Sequence, residues 1–181
     1  LPQDIKALVK GKKIYDPRQD STSTYYDADL VGGVSTQRSN DPATWEWSDN
    51  PVWCLVDYLT DDYFGMNISL SRIDLAKAVA AADICDTLVD IPNNEEEKRF
   101  TCNGVLFGTV SHKANINKLL SSMNGMLTYT NGKFLIRAGA FEAVGSSLAL
   151  NDDHLTGPAK LKTSFERNER FNTITGTFID P

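Results

Sequence analysis

Carboxylates fall in three groups that could do acid–base or metal chemistry. Asp57, Asp61 and Asp62 lie close together, Glu95, Glu96 and Glu97 are consecutive, and Glu142 and Asp152 flank an irregular stretch. A glycoside hydrolase needs two carboxyl groups held at a set separation, one to donate a proton and one to accept it or attack. Nothing in the spacing singles out such a pair. Asp57, Asp61 and Asp62 fall at a helix end and the turn after it, where solvated surface charge is the simpler reading. Consecutive glutamates do not converge on one cation. Cys54, Cys85 and Cys102 form no C-x-x-C and are odd in number, so each is expected as a small buried hydrophobe, not as half of a disulfide. His112 and His154 stand apart without ligand spacing. No phosphate-loop, dinucleotide, zinc-protease or nucleophile-elbow motif occurs. The expectation is no catalytic residue, no metal ligand and no cofactor, hence a chain that is not an enzyme.

Three tryptophans are the other residues to weigh. Trp45 and Trp47 alternate with Thr44 and Glu46, as in a short strand, and Trp53 lies beside the apolar face of a helix. Clustered indoles can line a sugar groove, but more often they fill a core or a subunit interface. Trp45, Trp47 and Trp53 are therefore expected in core or interface. The alternative is a carbohydrate- or receptor-binding module built on Trp45, Trp47 and the Tyr25-Tyr26 loop.

The elements that must position these residues can be read from local signals. Asn50 and Pro51 start a helix over about 51–60, with Val52, Leu55, Val56 and Leu59 on one face. A second helix is expected from Ser71, where Ser71 and Asp74 have capping-box spacing, to about Asp86. A third runs from about Ala114 to Met123 and stops at a left-handed Asn124-Gly125 cap. Strands are expected over 5–15, 99–106, 161–166 and 171–179. Met126–Thr130 and Lys133–Arg137 should form a hairpin around Asn131-Gly132. Residues 18–40 and 91–97 read as loops, the first partly mobile. The whole is an α+β chain with an antiparallel sheet and three helices. The first helix is expected to lie on a sheet holding Phe100, Cys102, Leu127, Phe134 and Ile136.

With 181 residues, 41% hydrophobic, the chain can bury a core. No apolar run is long enough to cross a bilayer. The net charge of -6 and pI of about 4.9 give no basic face for nucleic acid. The positive cluster Lys10-Gly11-Lys12-Lys13 reads as a solvated strand end.

The wording of several segments adds a resemblance. "SDNPVWCLVDYLTDDYFGM" at 48–66 resembles the opening of the hub domain in lambda-type phage tail tip proteins, the host specificity or J family. Val9-Lys10-Gly11 with Ile14-Tyr15-Asp16-Pro17-Arg18, Ile84-Cys85-Asp86, "RFTCNGVL" at 99–106, the helix-and-hairpin passage at 119–133, and the stretch from Glu169-Arg170-Phe171-Asn172 to Phe178-Ile179-Asp180-Pro181 are similar to the family's blocks, in the same order. The resemblance implies a structural hub module at the distal tip of a long-tailed phage or prophage, serving assembly, host attachment and DNA passage. Residues 1–40 would be the end of a preceding ring-forming domain with its connecting loop, 41–158 the hub domain, and 159–181 return strands. The partners implied are a homotrimer of the full-length protein, tail tube, tape-measure and other tip proteins, DNA as passing cargo, and a host receptor reached through regions this chain lacks. The location implied is the virion tail tip, and the host cytoplasm during assembly. The chain is expected to be a piece of a longer polypeptide.

Overall fold

A computed structural model describes residues 9–140, apart from 31, 33–35 and 93–94, together with Gly157. The chain divides into two compact units, 1–141 and 142–181. The strands expected at 161–166 and 171–179, His154, and the Glu142–Asp152 pair lie outside the described residues.

The described residues of the first unit are α+β, with three α-helices and small antiparallel ladders. β1 (Lys13–Ile14) pairs antiparallel with β2 (Glu46–Trp47). α1 (Pro51–Thr60) starts where Asn50 accepts a hydrogen bond from Val52 N at 3.0 Å, and Pro51 fills the first helical position. Val52, Trp53, Leu55, Val56, Tyr58 and Leu59 are all buried, so α1 is enclosed on most of its surface. α2 (Leu75–Asp86) starts later than expected. Ser71 sits in a short 3-10 turn, Leu70–Arg72, and Asp74 is the residue that caps, accepting from Lys77 N at 3.1 Å. Small residues Ala78, Ala81 and Ala82 form its buried side, which lets α1 approach closely.

Two expectations fail in the next stretch. The loop expected at 91–97 is a hairpin of β3 (Leu88–Ile91) and β4 (Glu95–Lys98). The strand expected at 99–106 does not form. A strand needs a ladder partner, and here the backbone bonds go elsewhere. Phe100 N donates to Cys85 O at 3.2 Å, and Cys102 N to Asp49 O at 2.7 Å. The β3–β4 ribbon is mostly exposed and sets Asp90 opposite Glu96, an unfavourable pair that alternation rules do not anticipate.

α3 (His112–Ser121) begins at a Ser111 cap and ends through Asn124 at φ 47°, with Gly125 N on Leu120 O at 2.8 Å. β5 (Met126–Thr130) and β6 (Lys133–Arg137) follow as expected, with Asn131 at φ 50° and Gly132 at φ 78° in the turn. Leu127 faces Ile136 and Tyr129 faces Phe134.

The core joins the α1 face to Ile73, Cys85, Leu119, Met123 and Ile136, with Phe100, Cys102 and Leu127 at its margin. Its setting corrects the expected helix-on-sheet arrangement. Among the described residues each ladder has two strands, and α1 lies against α2, α3 and β1. Loop 18–40 is also less free than expected. Asp20 and Gln37 are buried in it, Asp16 N donates to Gln37 Oε1 at 2.8 Å, and Asp20 accepts from Tyr15 Oη and Thr22 Oγ1 at 2.9 and 2.7 Å. Burial alone would push the Asp20 carboxyl up. The hydrogen bonds from Thr22, Tyr15 and Ser39 overcome it and hold the group below the usual carboxylate range.

Candidate interaction groove

A groove of about 980 Å³ opens between β1, α1, the segment 101–106 and α3. Its rim is apolar and unusually exposed: Val9 at 75%, Val105 at 70%, Phe64 at 38% and Trp47 at 37%. Scattered exposed hydrophobes need no explanation, but a contiguous set around one hollow marks a surface that meets something. Tight local geometry fixes Phe64. Asp61 Oδ1 accepts from Tyr63 N and Phe64 N at 3.0 and 2.6 Å, and a Cβ on Gly65 would lie 2.0 Å from Tyr58 O, so only glycine fits there.

The groove holds the one carboxylate cluster that the fold draws together among the described residues singled out from sequence. Lys12 Nζ lies 2.8 Å from Asp57 Oδ2 and 2.5 Å from Asp61 Oδ2. Burial raises the Asp57 carboxyl despite its bonds to Lys12. The same lysine, with the amides of the turn, drives Asp61 far below the usual range. Two carboxyls pushed apart in pKa can form an acid–base pair. Here the Lys12 ammonium bridges the two carboxylates. Asp62 is exposed, and Glu95–Glu97 lie along β4. From sequence Lys12 reads as a solvated strand end, because no local signal ties it to partners 45 and 49 positions away.

Cys54 and Cys102 also line the groove, and the Cys54 thiol faces Ser48 O at 3.8 Å. Both are half-buried, while Cys85 is fully buried. Among the described residues no group of three metal-ligating side chains occurs. His112 Nδ1 instead meets Tyr58 Oη at 2.8 Å, and Asn115 Nδ2 donates to the same oxygen at 3.1 Å, tying α3 to α1.

The tryptophans separate. Trp53 is fully enclosed, with the Arg18 guanidinium 5.5 Å from its ring centroid. Trp45 is half-buried, donates to Arg38 O at 2.9 Å, and lines a small hollow of about 110 Å³ with Tyr15 and Leu70. Trp47 faces the large groove, with Lys10 Nζ 5.3 Å from its centroid. Trp45 and Trp47 thus open on different hollows and do not make one aromatic platform.

The likeness found for this chain is to a structural part of a phage tail. The protein concerned is the baseplate hub protein pb3 of Escherichia phage T5, 24% identical over 194 aligned positions that cover 98% of this chain. The chain spans 18% of that protein's length. No known protein-family profile matches the chain. The likeness supports the broader expectation of a phage tail protein of hub type. The narrower assignment to the lambda J family rests on the ordered motifs alone.

Proposed function

We propose that this chain is a structural module of a phage tail hub, acting through shape and interfaces and not through catalysis. The observation that carries the reading is the likeness to a baseplate hub protein along 98% of the chain. The groove supports it: an apolar rim suits burial against a neighbouring protein, and the Asp57 and Asp61 carboxylates that line it are both bound by Lys12. The finer reading is the distal tip of a long, non-contractile tail, in a homotrimer with tube and tape-measure partners, assembled in the host cytoplasm. Host attachment would use parts of the longer protein outside this chain. A net charge of -6 suits a wall that DNA must pass, because a basic lining would hold DNA through counterion release.

Immunogold labelling of particles from the producing bacterium tests this. An antibody raised against the purified chain is expected to mark one end of the tail. Labelling of the capsid or of host material alone refutes the reading.

A further inference from the structure

One wall of the groove is a length of chain with the pattern of a strand but no ladder partner among the described residues. It is fixed at both ends. Cys102 N donates to Asp49 O at 2.7 Å, and Phe107 O accepts from Val110 N at 3.2 Å and from Asn115 Nδ2 at 3.1 Å. Between these anchors residues 103–106 run without a turn, bend or helical bond. Cys102 and Leu106 pack against the core while Asn103 and Val105 are exposed, the period of two that a strand shows. Among the described residues no hydrogen bond engages the amides or carbonyls of 103–106. The space beside this backbone is open, since a Cβ on Gly104 would meet nothing within 4 Å. A strand edge with free backbone groups is a template for one more strand.

Charge says what kind of strand. Asp57 and Asp61, which line the groove, are both held by Lys12. Lys10 Nζ lies 5.3 Å from the Trp47 ring centroid and Lys118 Nζ 5.8 Å from that of Phe107. Neither lysine has an ion pair among the described residues, so the unmatched charge at the rim is positive. We propose that the groove takes an extended segment of a partner protein, apolar at alternate positions and flanked by carboxylates, which adds as a β-strand along residues 103–106. In this mode main-chain hydrogen bonds supply affinity and alternate side chains supply selectivity. Four residues of edge give a ladder of roughly 13 Å, at about 3.3 Å per residue. The apolar side chains of the added strand cover Trp47, Phe64 and Val105, and its carboxylates pair with Lys10 and Lys118. A helical partner would satisfy its own backbone and leave the groups of 103–106 unpaired, so this wall selects a strand. The inference deepens the reading of the groove as a protein interface. It is tested on the isolated chain, so labelling found away from a tail would leave it standing.

A random peptide library on beads is the probe, selected against the purified chain. Enriched peptides are expected to alternate apolar residues with others and to carry Asp or Glu at their ends. The best of them is then resynthesised with N-methyl groups on every second amide, in both registers. One register removes the donors that face residues 103–106 and should weaken binding about tenfold or more, as two or more lost hydrogen bonds do. The other register methylates amides that point away and should be tolerated. Hydrogen exchange followed by NMR should show the amides of Asn103 to Leu106 slowing when the peptide is added. Lys10→Glu combined with Lys118→Glu should weaken binding roughly fivefold, the scale of two exposed ion pairs. No enriched peptide, apolar residues at helical spacing, indifference to the N-methyl register, or no slowing at 103–106 would each overturn the proposal. So would a chain that self-associates and protects these amides before any peptide is added, because the face would then belong to a second copy.

Discussion

Replacing Arg18 by methionine should unsettle this fold more than removal of any exposed charge. Arg18 is 4% exposed, and its guanidinium bonds to Asp16 at 2.7 Å, Asp83 at 2.8 Å and Asp86 at 2.9 Å. The three carboxylates do not count equally. Asp83 is 56% exposed at its side chain, so losing its pair costs little. Asp86 keeps Lys98 at 3.1 Å and Asn50 Nδ2 at 2.8 Å. Asp16 is 2% exposed and would retain only the Arg18 backbone amide, at 3.0 Å, on its Oδ1. The cost is thus mainly one buried carboxylate without its counter-charge, about 3–5 kcal/mol. Urea denaturation reads this directly. With a slope of about 1–3 kcal/mol/M, the midpoint should fall by roughly 2 M. Asp16→Asn combined with Arg18→Met removes both charges and keeps the Oδ1 acceptor, so it should regain most of the loss. A midpoint shift under about 0.5 M, or a double variant no more stable than the single one, would refute the argument.

Leu55→Ala, at a fully buried site in α1, should cost about 2–5 kcal/mol in the same assay, and a loss under about 0.5 kcal/mol would mean that the helix face is not enclosed. Acid titration should report Asp61. Its folded pKa lies below the unfolded value, so its contribution is present above about pH 4 and is lost as pH falls through the lower folded value. Lys12 has the opposite sign: burial opposes its charge, the bonds to Asp57 and Asp61 prevail, and its raised pKa adds stability that is lost as pH rises through it. Lys12→Met should therefore flatten the stability profile at both the acid and the alkaline end. An acid limb as steep as in the wild type would show that Lys12 does not hold Asp61.

Features decided by adjacent residues were legible in the sequence. Asn50-Pro51 marks the start of α1, and Asn124 and Asn131-Gly132 mark the end of α3 and the β5–β6 turn, because caps and turns are made within a few residues of chain. The face Val52, Leu55, Val56, Leu59 followed from helical spacing alone. The alternation at 99–106 misled because period two reports which side chains face inward, not whether a partner strand is present. The partners of Phe100 N and Cys102 N lie in Cys85 and Asp49, which only the folded chain brings near. Lys12 between Asp57 and Asp61, and Arg18 among Asp16, Asp83 and Asp86, share that origin. Burying a charge among counter-charges takes groups from distant segments, and one-dimensional spacing carries no term for that distance. The sequence by itself determined the start of α1, the left-handed end of α3 and the β5–β6 turn. Tertiary structure decided which polar groups are neutralised, which indoles are enclosed and which are left at a rim, because burial energies depend on neighbours in space.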